Sequence, residues 1–170
     1  LVSINNGMHK ATLHIYTGSA ITPRISELLN RGESSRIEGS RPYSEIQEVM
    51  KQADIVLHVE SFKKKKKEIV RYSFSTKITD CLQSGAVMMA IGPSGIASIE
   101  YPKRIPGAIV VDVYIRDALI TLLRKYLRIG QCRQVPLQYH TYLVGSHAFL
   151  GDFGFGIYVR LRFAYANSGS

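Results

Sequence analysis

Between about residue 12 and residue 130, short apolar runs alternate with amphipathic stretches, and this rhythm constrains the fold more than any other feature of the chain. Leu13-His14-Ile15-Tyr16 reads as a strand. Thr22 then supplies an N-cap, and Pro23 sits at the first helical position, where its missing N–H costs nothing. Ile25, Leu28 and Leu29 share one face of that helix, and Gly32 is placed to end it. A short strand is expected around Arg36-Ile37-Glu38. Ser44 and Gln47 have the spacing of a capping box, ahead of Ile46, Val49, Met50 and Ala53 at helical intervals. Asp54 to Val59 is nearly continuous in apolar residues, as a strand covered on both faces must be. Ser75 or Thr76 caps a helix through Ile78, Cys81 and Leu82, which Gly85 closes. Val87 to Ile91 and Ala108 to Val111 are further strands. Ile115, Ala118, Leu119, Leu122, Leu123, Tyr126 and Leu127 give a last amphipathic helix, with Arg124, Lys125 and Arg128 where its dipole favours cations.

Strand–helix alternation of this kind predicts an α/β fold: a Rossmann-like parallel sheet with helices on both faces. Ligands of such sheets bind beyond the carboxyl ends of the strands. After Gly130 the rhythm stops. Residues 131–170 are rich in glycine and aromatics, as in Gly151-Asp152-Phe153-Gly154-Phe155-Gly156, and only 157–165 alternate as a strand does. The expected organisation is therefore a domain over 1–130 and an atypical tail over 131–170. A chain that opens on Leu1 rather than Met is expected to be a piece of a longer protein.

With 45% hydrophobic and 21% charged residues, the chain has the composition of a folded domain, not of a disordered segment. Cys81 and Cys132 are too few for a disulfide framework and wrongly spaced for zinc. His9, His14, His58, His140 and His147 show no metal-ligand spacing either, and His58, inside a strand, is expected in the core. No apolar run approaches the roughly 18 residues of a membrane span, and Leu1 to Lys10 has no signal-peptide core. The formal net charge of +9, to which Lys63-Lys64-Lys65-Lys66-Lys67 contributes more than half, favours anionic partners. The run itself is expected as a solvated loop, with a phosphate cradle or an anionic membrane contact as the functional alternative.

Three places can carry chemistry. Ser73-Phe74-Ser75-Thr76-Lys77-Ile78-Thr79-Asp80 leads into a helix between two parallel strands. Its exposed amides and the Ser75 and Thr76 hydroxyls suit phosphate oxygens, Lys77 adds a charge, and Asp80 can accept from ribose hydroxyls. The plainer reading is a helix cap followed by a solvated acid. Gly92-Pro93-Ser94-Gly95 follows a strand, where Gly92 admits close backbone approach and Ser94 offers a hydroxyl. It is neither a P-loop nor a dinucleotide fingerprint, and taken by itself it is an ordinary turn. Glu60 ends the strand at 54–59, where a sugar-binding carboxylate can sit; it can equally be a polar residue leaving the sheet. No spacing supports a nucleophile with its base, so no catalytic residue is assigned.

Ala53-Asp54-Ile55-Val56-Leu57-His58-Val59-Glu60-Ser61, Phe74-Ser75-Thr76-Lys77-Ile78-Thr79-Asp80-Cys81-Leu82-Gln83-Ser84-Gly85 and the strand from Val87 to Pro93 together resemble the C-terminal domain of retaining, family-4-like glycosyltransferases of the two-domain GT-B type. Tyr43-Ser44-Glu45-Ile46 fits the same pattern, and the likeness covers about residues 10–130. It implies transfer of a sugar from a nucleotide-diphosphate donor, a UDP-sugar or GDP-sugar, to a polysaccharide or glycan acceptor, with no separate cofactor. Asp80 falls where the family holds the donor ribose. Eight positions earlier, where the family has a second carboxylate, stands Tyr72; Glu60 takes that role if residues 63–74 loop out. The resemblance also implies a first strand upstream of Leu1, an N-terminal acceptor-binding domain as partner, and a cytoplasmic setting, peripheral at the inner membrane face. The competing reading is a non-catalytic basic module that grips nucleic acid or an anionic membrane through Lys63–Lys67. No RNA-binding aromatic motif or recognition-helix pattern favours nucleic acid.

Overall fold

The computed structural model describes residues 10–113, 120–121 and 158–164. Five strands follow the predicted rhythm: β1 Lys10–Tyr16, β2 Ser35–Gly39, β3 Ile55–Val59, β4 Val87–Ile91 and β5 Ile109–Val111. Between them lie α1 Pro23–Leu29, α2 Tyr43–Lys51, α3 Lys64–Val70, α4 Thr76–Gln83 and α5 Ala97–Glu100, the last followed by a 3-10 turn at Pro102–Arg104. A sixth strand, β6, spans Tyr158–Ala164. The fold is α/β and Rossmann-like, with parallel strands alternating with helices.

All six strands form one sheet in the order β2-β1-β6-β3-β4-β5. β1 pairs with β2 in parallel, and β3, β4 and β5 are parallel neighbours. β6 runs antiparallel to both β1 and β3 and joins the two parallel groups. Of the alternation read over 157–165, the described residues Tyr158–Ala164 are a strand in the middle of this sheet, and the sheet is mixed, not wholly parallel. An antiparallel strand needs no helical crossover to enter, so a segment without helical periodicity can take this place.

Side chains alternate across the sheet with a period of two. On β4, Met88 and Ala90 join a core cluster with Ile46 and Met50 of α2, Ile78, Cys81 and Leu82 of α4, and Ile99 of α5. Val87 and Met89 face the other way, with Ile55, Ile109 and Val111. Ile120, helical together with Thr121, packs on this second cluster. The rest of the helix expected over 115–128 lies outside the described residues, as do Cys132, His9, His140, His147 and the glycine-aromatic run at 151–156.

Local chemistry explains most of the helix ends. Thr22 is the N-cap of α1, its hydroxyl accepting from the Ile25 amide at 3.3 Å, with Pro23 at the first position as predicted. Gly85 closes α4 at φ +73°, in the left-handed region that favours glycine. Three expectations are corrected. Ser44 does not cap α2: the helix begins at Tyr43 behind Pro42, so Ser44 already lies inside the first turn, and no side-chain cap forms. Gln47 instead hydrogen-bonds Tyr43. The apolar face of α1 is not buried: Ile25 is 40% and Leu28 57% exposed, because α1 lies along β2 at the sheet edge, beyond both core clusters. Finally, most of the lysine run is helix, not loop. Lysine is a good helix former when its stem can extend, and Val70 anchors the turn by packing on the first core cluster.

Candidate functional site

The carboxyl ends of β3, β4 and β5 bring together residues 59–61, 91–95 and 111–113, as the parallel pairing requires. Glu60 is the centre of this edge. Its amide donates to the Ile91 carbonyl at 2.7 Å, which continues the β3–β4 ladder one residue past the strand. Because His58 and Glu60 are two apart, both fall on the face covered by α4 and α5. Glu60 Oε1 accepts from the Ser98 hydroxyl at 3.1 Å. His58 Nε2 lies 3.2 Å from the same oxygen, but it is not aligned for a full hydrogen bond, and this buried nitrogen has no other partner among the described residues. The contact from His58, outweighing the burial that opposes it and helped by the Ser98 hydroxyl and the Lys77 charge, holds the Glu60 carboxyl below its usual range. Glu60 is therefore an anion at neutral pH, its side chain 19% exposed, with Oε2 outside these two contacts.

Gly92 makes this placement possible. A Cβ there would stand 2.8 Å from Glu60 Cβ and 2.9 Å from Ile99 Cδ1, closer than carbon atoms tolerate. Its amide donates to the Val111 carbonyl at 3.1 Å. Gly92 thus serves the approach of the Glu60 side chain and the continuation of the sheet.

The rest of the 92–95 loop is tied toward β5. Ser94 Oγ donates to Asp112 at 2.9 Å, and the Gly95 amide donates to Glu100 Oε1 at 2.9 Å. Lys103 bridges Glu100 and Asp112 at 2.9 Å to each. These contacts lower the carboxyl pKa values of Glu100, chiefly through the Gly95 amide, and of Asp112, chiefly through Lys103. The backbone amide a phosphate would use here already holds an anion, the protein's own Glu100.

α4 enters the same edge from the side. Ser75 is its N-cap in extended conformation, and its hydroxyl makes no capping bond. Thr76 is exposed at the first helical position. Lys77 lies close enough to Glu60 to lower its pKa. Asp80, one turn on, points toward α2, where it accepts from the Tyr43 phenol at 2.6 Å. Burial and then this bond push the Tyr43 pKa up to about 12. Cys81, behind it, is a buried free thiol pushed up to about 12 by desolvation, which leaves it without thiolate character.

Of the residues singled out in the sequence, Glu60 and Gly92 meet at one place, and Lys77 is near enough to act on Glu60 through its charge. Ser75 and Thr76 stand at the adjoining helix start, while Ser94 and Asp80 are held by partners to either side. Ser98, Asp112, Lys103 and Glu100 were not foreseen: Ser98 and Asp112 act through tertiary contacts with no spacing signature, and the local Glu100–Lys103 pair joins the site only through Gly95 and Asp112. Lys67 also belongs here: its Nζ is 3.7 Å from where a Cβ of Gly95 would lie, so the last lysine of the run turns inward over the loop. No group of histidine, cysteine and carboxylate residues suited to a metal ion occurs among the described residues. No helix among them is long and apolar enough to cross a membrane. No protein-family model, curated protein or solved structure matches the chain.

Proposed function

We propose that this domain binds the nucleotide-diphosphate-sugar donor of a two-domain glycosyltransferase, with the acceptor held by a separate N-terminal domain. The observation that carries the reading is the close approach of Glu60 across Gly92 at the carboxyl ends of β3 and β4, with the charge of Lys77 acting on Glu60 from the start of α4. Each group suits one part of such a donor. The start of α4, with Ser75, Thr76 and Lys77, attracts diphosphate oxygens. Glu60, anchored through Oε1, accepts hydroxyls of the sugar. Asp80, oriented by Tyr43, accepts from the ribose. Retention at the anomeric carbon, a UDP or GDP base and a glycan acceptor follow from the family resemblance of residues 53–61 and 74–93. Ser94 contributes only if Asp112 releases it.

Calorimetric titration with UDP, GDP and their sugar conjugates tests this. Saturable binding is expected, weakened about tenfold or more by Lys77→Ala and by Asp80→Ala, as befits loss of a charge-assisted contact. Folded protein that binds none of these nucleotides, or binds them equally well in both variants, overturns the assignment.

A further inference from the structure

The function proposed above uses Lys67 at most and leaves the outer surface of α3 unexplained. Between Lys63 and Tyr72 the sequence carries six cations against one carboxylate, Glu68. Helical geometry sorts them. Lys67 and Val70 are three apart and turn inward, Lys67 over the 92–95 loop and Val70 onto the core. The opposite face then presents Lys65, Glu68, Ile69 and Tyr72, flanked by Lys64 and Lys66. Exposure agrees: Ile69 is 69% and Tyr72 86% exposed, and Lys64, Lys65 and Lys66 are all exposed. The surface is fixed in place from behind. The Ala97 amide donates to the Arg71 carbonyl at 3.2 Å, and Phe74 packs edge-on against Tyr101 with 5.2 Å between ring centres.

As it stands, α3 opposes its own electrostatics. Lys63 is the N-cap without a side-chain cap bond, and no acid lies in the first turn. Consecutive ammonium groups therefore crowd the start of the helix and repel one another. A negatively charged plane outside this face relieves that repulsion.

We infer that the outer face of α3 docks on an anionic lipid bilayer, its lysines at the phosphate level and Ile69 and Tyr72 inserted among the headgroups. Stable attachment to a bilayer takes a polybasic patch together with an apolar element, and this face carries both. Tyrosine suits the interface, apolar ring inward and hydroxyl in water. Nucleic acid fits less well. An exposed isoleucine gains nothing from a phosphate backbone, and the Arg71 guanidinium, 5.4 Å from the ring centre of Tyr72, takes one of the two ring faces on which a base would stack.

The test is co-sedimentation of the 170-residue chain with phosphatidylcholine vesicles, with and without phosphatidylglycerol, across a salt series. Binding to the anionic vesicles and not to the neutral ones is expected. Replacing Lys64, Lys65 and Lys66 together by serine should lower partitioning about 100-fold, at about fivefold per lysine. Ile69→Ser with Tyr72→Ser should lower it about tenfold while leaving the salt dependence in place. Because these five side chains are exposed, unchanged unfolding curves serve as the control. No binding to anionic vesicles, or full binding by the Ile69/Tyr72 variant, overturns the proposal. A single-stranded oligonucleotide that binds more tightly than the anionic vesicles, with loss in the lysine variant, also overturns it and assigns the face to nucleic acid.

Discussion

α3 and α4 follow one another in the chain and differ by one residue in length, yet they are held by different physics. α4 buries Ile78, Cys81 and Leu82 against the sheet, with Ile78 fully enclosed. α3 buries no residue fully; it is a surface element fastened by half-buried Val70, by the Arg71 carbonyl and by Phe74 behind it. One helix is part of the core and sets the strand-end edge. The other lies over that edge and offers its charge outward. The same difference separates the two functional proposals: the donor reading rests on α4, the membrane reading on α3.

The largest expected effect breaks the comparison at its root. Ile78→Ala removes a side chain with no exposed surface and should cost about 2–5 kcal/mol in denaturant unfolding. The matching change in α3, Ile69→Ala, should stay within about 0.5 kcal/mol. Similar losses from both would mean that α3 is as much a core helix as α4.

Gly92→Ala is next. The new methyl must displace Glu60 or Ile99, so a destabilisation of about 1–3 kcal/mol is expected by the same measurement. Loss of nucleotide binding in the folded variant would add that Glu60 must lie flat across Gly92 for the site to form.

The smallest effects lie in the pH dependence of stability. Tyr43 has its folded pKa raised from 10.0 to about 12. Its contribution is therefore complete below pH 10 and is lost as pH rises toward 12. Tyr43→Phe should flatten the alkaline limb of the stability profile and loosen the link between α2 and α4. Glu60 is shifted the other way, below the ordinary carboxyl value of 4.5. Its contribution is present above that pH and fades as pH falls below it, so Glu60→Gln should make the acid limb shallower. An unchanged acid limb would show that His58 and Ser98 do not hold the carboxylate in solution.

Much of the fold was legible because it is written in local periodicity. The run from Val87 to Ile91 is a strand with the predicted ends, and the span read at 54–59 and the β5 region shift by one residue each. Thr22-Pro23 capped a helix as read, since both halves of the signal lie within four residues. The capping box at Ser44 failed for an equally local reason: Pro42 and Tyr43 started the helix first. The lysine run misled because charge density suggests a solvated loop, while helix formation there depends on Val70 reaching the first core cluster and on Arg71 and Phe74 finding Ala97 and Tyr101. At the candidate site, Glu60, Lys77 and Gly92 could be named in advance from their places at strand and helix ends. Ser98 and Asp112 could not, because nothing in their spacing ties Ser98 to Glu60, 38 positions away, or Asp112 to Ser94, and the Glu100–Lys103 pair carries no sign that it closes on the 92–95 loop.

The sequence by itself determined the α/β alternation, the two-faced strands and the edge of the sheet where a ligand would bind, because apolar periodicity acts over a few residues at a time. Only the tertiary structure decided that β6 joins β1 to β3, that Glu60 is anchored by His58 and Ser98, and that α3 turns Lys67 inward and Ile69 outward. Those outcomes depend on which distant surfaces meet, and strand order, close approach across a glycine and burial of one helix face are settled only when the whole sheet has closed its core.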